Sequence, residues 1–382
     1  MARSTVVKIG FVLDDGLDPP DGVQQYVLTL GRWFVKQGHD VHYLVGQTSR
    51  SDIPQVHSLA KNVKVSFNGN KMTIPLGVSV NKIRQILKDQ QFDVLHVQMP
   101  YSPQFAGRVI AAADDSTAVI GTFHILPYGR LQAWGAKILK LLINKSLQRF
   151  DAIVAVSGAA QEFASKAMNI DSTIVPNAVD LANFKAGKKI DKYDDSKQNI
   201  IFLGRLVERK GCMQLLKAYE LLRNQGNAND TRLIIAGDGP DRTKIENFIK
   251  QNNLTDHVVM VGWLSEDEKP DYLKTADIAV MPSLSGESFG IVLVEAIASG
   301  AGVVVGGDNP GYRFVLINES RVLVDPYNTQ SFVDTLAKLL TDKQLKKTLN
   351  ISQNKRITEF DVPIIGDKLL KIYKDKKANR PS

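Results

Sequence analysis

The sequence predicts an α/β protein made of two doubly wound parallel sheets. Short apolar runs rich in Val and Ile alternate with segments whose apolar residues fall at helical spacing, as strands and helices do in such sheets. That rhythm breaks once, in the charged, aperiodic stretch KAGKKIDKYDDSKQ, and then restarts. The length agrees, since 382 residues at roughly 150 per domain make two domains.

The first strand run is Val6–Leu13. Val23, Tyr26, Val27, Leu30, Trp33 and Phe34 then mark one face of a helix that Gly38 closes. Val41–Val45, Val94–Val97, Ala118–Phe123, Ala152–Val156 and Thr173–Val175 are further strand runs, apolar as parallel strands covered on both faces are. Residues 1–187 are therefore expected to form an N-terminal domain, 188–197 a linker and 198–362 a second domain. The second domain's strands are expected at Asn199–Leu203, Arg232–Ala236, Val258–Val261, Asp277–Met281, Gly302–Val305 and Val322–Val324. Pro363 precedes a last helical run, Ile364–Lys374, and the polar tail after it is expected to fray.

Hydrophobic residues at 43% and charged residues at 23% exclude a disordered or fibrous chain. The lone Cys212 excludes an intrachain disulfide and suits a reducing compartment. A net charge of +8 with 7% aromatic residues points away from nucleic acid and is compatible with an anionic lipid surface. The six histidines include no close pair at ligand spacing on a helix, His39 and His42 sitting at a turn into a strand, so no metal is expected. The most apolar window, Phe289–Gly307, holds Glu295 and four glycines after Ile291, which suits helix, turn and strand better than a membrane span. No signal peptide is read at the N-terminus, and a cytoplasmic protein is expected. The helical runs Asn81–Gln90 and Leu131–Phe150 carry Lys and Arg beside an apolar face. Each reads either as packed on its sheet or as lying on a membrane.

The most informative segment is Pro282–Gly300, PSLSGESFGIVLVEAIASG. A strand ends before it, and a helix begins near Gly290. The amides of Phe289, Gly290 and Ile291 then point out of the helix start and form a ready anion site. Glu287 beside that site repels a phosphate, but would accept hydrogen bonds from sugar hydroxyls attached to one. Glu295, eight residues on, is placed to accept from ribose. The alternative is a helix-start acid favoured by the dipole and a satisfied buried acid. In FLGRLVERKG, Arg205 and Lys210 follow a strand on a loop, where fixed cations suit a diphosphate or are merely solvated. His124 at a strand end reads as a site residue or as a satisfied core histidine.

Together these residues resemble a known family. Glu287-x7-Glu295, Gly204-Arg205-x4-Lys210-Gly211, Ala236-Gly237-Asp238-Gly239-Pro240 and the loop at Gly22 are similar to glycosyltransferase family 4. Those are retaining enzymes of the GT-B fold that use nucleotide-sugar donors. GESFGIVLVEA, Gly121–His124 and Phe92–His96 look most like the bacterial phosphatidylinositol alpha-mannosyltransferase branch.

The resemblance implies two Rossmann-like domains facing across a cleft, with the last helix, 363–382, packing back on the N-terminal one. It implies that Arg205 and Lys210 bind the diphosphate and stabilise its departure, and that Glu287 meets the donor sugar and Glu295 the ribose. Ser288, Phe289, Gly290 and Ile291 would hold phosphate and sugar, Leu264 the base, and Gly22 the donor through its loop. His124 would sit near the transferred sugar, and Gln24 and Asn68 at the acceptor. The chain departs from that branch in two ways. Asp21 precedes Gly22 where paired glycines are usual, and Asn68–Leu76 lacks the arginine expected beside an anionic head group. The expected activity is retaining, metal-independent transfer of mannose from GDP-mannose to a lipid or glycolipid acceptor such as phosphatidylinositol, at the inner face of the plasma membrane. Two alternatives stay open: a UDP-glucose enzyme acting on diacylglycerol or a glycan, and a non-catalytic nucleotide-binding protein on the same scaffold.

Overall fold

The computed structural model describes residues 6–18, 21–67, 70–126, 130–317 and 319–381. The chain divides into two units, Met1–Ala178 with Val362–Ser382, and Val179–Asp361.

In the first unit the strands are β1 (Lys8–Leu13), β2 (Asp40–Val45), β3 (Val56–Ser58), β4 (Lys61–Phe67), β5 (Asn70–Leu76), β6 (Val94–Met99), β7 (Ala118–Phe123), β8 (Ala152–Ala155) and β9 (Thr173–Ile174). Seven of them form one sheet in the order β3-β2-β1-β6-β7-β8-β9, every pair parallel. β4 and β5 pair with each other in an antiparallel ribbon that the sequence reading did not foresee. All six residues of β6 and of β7 are buried, which is why these strands lack a polar alternation.

The helix Gly22–Lys36 lays Tyr26, Val27, Leu30 and Phe34 on the core beside Phe11, Val94 and Ile120. The last helix, Val362–Ala378, adds Ile365, Leu369 and Tyr373 to that core. It is fastened by a buried polar chain. The Tyr373 hydroxyl meets His96 Nδ1 at 2.6 Å, His96 Nε2 meets the Thr122 hydroxyl at 2.6 Å, and Thr122 meets the Tyr26 hydroxyl at 3.2 Å. The tail does not fray as expected. Lys377 Nζ donates to the Ser116 carbonyl at 2.9 Å and Arg380 Nε to Asp151 at 2.9 Å, so these two charges hold it to the first unit.

The second unit holds β10 (Gln198–Leu203), β11 (Thr231–Ala236), β12 (Val258–Gly262), β13 (Ile278–Met281), β14 (Val304–Gly307) and β15 (Leu323–Val324). They form one parallel sheet in the order β12-β11-β10-β13-β14-β15. The stretch 188–197 is part of this unit rather than a linker. The Lys188 amide donates to Asp271 at 2.7 Å, the Ile190 amide to the Thr275 hydroxyl at 2.9 Å, and Tyr193 is buried. Its charge hid these anchors, which lie about 80 residues away in sequence and so leave no local period.

Two outcomes follow. Tyr373→Phe leaves the buried His96 Nδ1 without its partner and is expected to cost about 1–3 kcal/mol, seen as a lower thermal midpoint. An unchanged midpoint would contradict the fastening. Burial holds His96 and His124 down at about 3, so both stay neutral in the folded protein. The unfolded chain takes up those protons near its ordinary histidine value, so each residue weakens the fold as pH falls from about 6.5 towards 3. Imidazole NMR signals of both should not titrate between about pH 5 and 8; a midpoint near 6.5 for either would refute this.

Candidate active site

In the second unit β10 and β13 are neighbours, so the loops leaving their carboxyl ends meet. The Leu284 amide donates to the Arg209 carbonyl at 2.8 Å. Gly211 has φ +74°, and the Pro282 carbonyl oxygen lies 2.1 Å from where a Cβ would stand, so only glycine lets the two loops touch here. The loop after β11 joins them: the Leu206 amide donates to the Asp238 carbonyl and the Asp241 amide to the Leu206 carbonyl, both at 2.9 Å.

These loops bring Glu287 against two cations. Its Oε1 accepts from Arg209 Nη1 at 2.7 Å and from Lys210 Nζ at 2.8 Å, with the carboxylate side chain 13% exposed. Burial alone would push this acid up. Lys210 and Arg209, with the Ser283 hydroxyl, more than offset it and hold Glu287 at about 2. The segment is braced from behind. The Ser283 and Tyr312 hydroxyls lie 3.1 Å apart, and Asn309 donates to the Ser283 carbonyl at 3.1 Å while accepting from the Tyr312 amide at 3.0 Å.

Just past Glu287, Phe289 is buried edge-on against Phe360, with ring centroids 5.1 Å apart. Gly290 at φ +114° turns the chain into the helix Ile291–Ser299, with the Tyr312 ring 2.6 Å from an imagined Cβ. A helix start carries amides with no carbonyl one turn back, and these favour an anion. Glu295 lies in the second turn, 6% exposed; burial pushes its carboxyl up, against the pull of Lys269 and Lys210.

The residues singled out from sequence fall in two places. Arg205, Lys210, Leu264, Glu287, Ser288, Phe289, Gly290, Ile291 and Glu295 belong to the second unit, on loops leaving β10, β12 and β13 or on the helix that follows. Arg205 is half-buried on the loop after β10, and its carbonyl accepts from the Val207 amide at 2.9 Å. Leu264 is buried just past β12. Gly22, Gln24 and His124 belong to the first unit. Gly22 opens the helix Gly22–Lys36. Gln24 is buried, with its amide donating to the Gly16 carbonyl at 3.2 Å. His124, at the carboxyl end of β7, is buried with Nε2 2.8 Å from Gln98 Oε1 and its ring edge-on to Tyr26. Asn68 lies outside the described residues.

Sequence reasoning missed Arg209, Ser283 and Tyr312. Only Arg209 had a signal, as a second cation beside Lys210. A hollow of about 570 Å³ opens elsewhere in this unit, between the helices Cys212–Asn224 and Arg242–Gln251; neither Glu287, Arg209 nor Lys210 lines it.

Comparison with known proteins agrees with this architecture. Residues 20–183 match the family model described as Glycosyltransferase Family 4, and residues 184–358 that of Glycosyl transferases group 1. The chain is 28% identical over 371 residues to the phosphatidyl-myo-inositol mannosyltransferase of Mycolicibacterium smegmatis, covering 96% of this chain and 93% of that one. It is 27% identical over 375 residues to the protein of that name from Mycobacterium tuberculosis, covering 96% of each. Among solved structures, a glycosyltransferase from Rickettsia africae superposes with a TM-score of 0.77 at 17% identity, over 97% of this chain and 98% of that one. With both halves of the chain matched and the two Rossmann-like units in place, this protein belongs to the family 4 glycosyltransferases of the GT-B fold.

Proposed function

We propose that the enzyme transfers mannose from GDP-mannose to a lipid or glycolipid acceptor such as phosphatidylinositol, with retention and without a metal ion. One observation carries the donor site: Glu287 is fixed by Arg209 and Lys210 immediately before an amide-rich helix start. That arrangement suits a sugar on one side of a diphosphate. The helix amides, Arg205 and Lys210 take the diphosphate, Glu287 the sugar hydroxyls, Glu295 the ribose and the main chain at Leu264 the base. Gly22 is assigned to the donor, and Gln24 and Asn68 to the acceptor. His124 is assigned, as a neutral group, to the transferred sugar.

In the reaction the bond from the anomeric carbon to the diphosphate oxygen breaks, and its electron pair goes to the diphosphate. The acceptor hydroxyl oxygen bonds the anomeric carbon on the same face, and its proton passes to the departing oxygen. Arg205, Lys210 and the helix start stabilise the charge that the diphosphate gains. Removal of one such donor typically costs about 10²–10³ in rate. The charge is thus met by protein groups, which supports a metal-free mechanism.

A membrane acceptor is supported by the relatives' printed names and by the helix Arg130–Leu147. It exposes Ile138, Leu141 and Leu142 alongside Lys145. No helix among the described residues is long and apolar enough to cross a membrane, so attachment would be peripheral, at the inner face of the plasma membrane. A second reading is UDP-glucose transfer to diacylglycerol or a glycan; Asp21 and the lack of arginine in Asn68–Leu76 suit its acceptor better than an anionic head group, and leave the donor open.

Radiolabelled GDP-mannose and UDP-glucose, each offered with vesicles containing phosphatidylinositol or diacylglycerol, test the reading. Label is expected in phosphatidylinositol from GDP-mannose, and Glu287→Ala should lower transfer by about 100-fold or more. Transfer from UDP-glucose alone would establish the second reading, and none from either donor would defeat both. Vesicle flotation tests attachment separately. Binding to anionic vesicles should weaken in about 0.5 M salt and in the double variant Leu141→Glu with Leu142→Glu. Equal binding by that variant would exclude this helix as the contact.

A further inference from the structure

Arg209 is assigned to no part of the donor in the scheme above, yet it makes the shorter of the two contacts to Glu287. Both cations reach the same oxygen, Oε1, from one short loop. Two cations on one carboxylate oxygen exceed what neutralisation requires. The two differ in chemistry. A guanidinium offers donors in a fixed plane and is weakly hydrated, so it orients a partner. An ammonium carries three donors on a flexible stem and can share them with a phosphate. The backbone of Arg209 is itself pinned, its carbonyl accepting from the Leu284 amide on the loop that bears Glu287. Arg209 therefore moves with Glu287 rather than with a bound ligand.

We infer that Arg209 is the positioning residue of Glu287: its guanidinium holds Oε1, leaving Oε2 for the donor sugar, while Lys210 turns to the diphosphate when donor binds. The inference rests on the donor-site reading given above, and it distinguishes a residue that sets the sugar-binding carboxylate from one that binds phosphate.

The groups facing Glu287 are Arg209 and Lys210 from the loop after β10, Ser283 from its own loop and Tyr312 from the helix Pro310–Val315. Glu295, from the helix Ile291–Ser299, shares Lys210's field. Burial favours a protonated Glu287, and the two cations oppose it. Removal of Arg209 therefore lifts the carboxyl towards the unfolded value. A depressed acid stabilises the fold above its unfolded pKa, and this is lost as pH falls through the folded one. The wild-type protein keeps that stabilisation further into acid than a variant lacking Arg209.

The test compares wild type with Arg209→Gln and Arg209→Lys, without any ligand and then with nucleotides. The gap in thermal midpoint between wild type and Arg209→Gln should narrow as pH falls from about 6 to about 3, and the gap to Arg209→Lys, which keeps the charge, should stay flat. By calorimetry, Arg209→Gln should weaken GDP-mannose or UDP-glucose by about tenfold or more, and GDP or UDP by less than about twofold. A gap to Arg209→Gln that does not change with pH overturns the inference. So does an equal loss of nucleotide sugar and nucleoside diphosphate, which would make Arg209 a phosphate ligand. Should Arg209→Gln not fold, Arg209→Lys carries the binding test, its weaker orienting fork lowering nucleotide-sugar affinity more than diphosphate affinity; equal effects overturn the inference. If wild type binds neither nucleotide sugar, the donor reading fails, and the ligand-free pH comparison alone decides the role of Arg209.

Discussion

A carboxylate placed just ahead of a helix start opposes the anion that the helix start would attract. The second unit resolves that conflict with the Arg209–Glu287–Lys210 cluster. The cations keep Glu287 ionised despite its burial, and they leave the adjacent amides facing a region that is no longer net negative. Without them, desolvation would favour a neutral acid, which can donate a proton and accepts hydrogen bonds less well. The site's capacity to read a sugar beside a diphosphate therefore depends on this one ionic arrangement.

The arrangement is a product of topology. β10 lies between β11 and β13, so three loops emerge side by side at one end of a parallel sheet. Glycines without a Cβ let those loops approach to contact distance, and Asn309, Tyr312 and Ser283 hold the arm that carries Glu287. A buried polar brace of this kind is costly to disturb, because each group left unpaired loses its partner in a dry environment. In the first unit the Tyr373–His96–Thr122–Tyr26 chain does comparable work for the last helix, which returns to a core formed some 180 residues earlier in the chain.

Much of this was legible in the sequence. Ala118–Phe123 reads as a strand and is one, residue for residue, because a strand buried on both faces announces itself as an unbroken apolar run. Glu287 and Lys210 were placed by their positions after strands. Arg209 was not, since sequence cannot rank three cations within six residues: Arg205 and Lys210 fit the family motif that the segment resembles, and side-chain direction leaves no trace in composition. The β4–β5 ribbon did have a sequence signal, the hairpin dipeptide Asn68-Gly69 between its two strands, and was missed because those strands carry lysines instead of the unbroken apolar runs that mark the others. The linker was misplaced for the opposite reason: a charged stretch hides caps and anchors to distant residues. Gln24 was matched to an acceptor role, and the fold adds that its amide is already engaged with Gly16, tying its helix to the loop before it.

Amide hydrogen exchange, measured by mass spectrometry with and without GDP-mannose and UDP-glucose, shows whether the Arg209–Glu287–Lys210 cluster and the helix start beside it form the donor site. A bound sugar nucleotide is expected to slow exchange in peptides covering residues 204–211 and 286–295, the loop with the cations and the helix start. Protection confined to other segments, such as the groove between the helices Cys212–Asn224 and Arg242–Gln251, would contradict it.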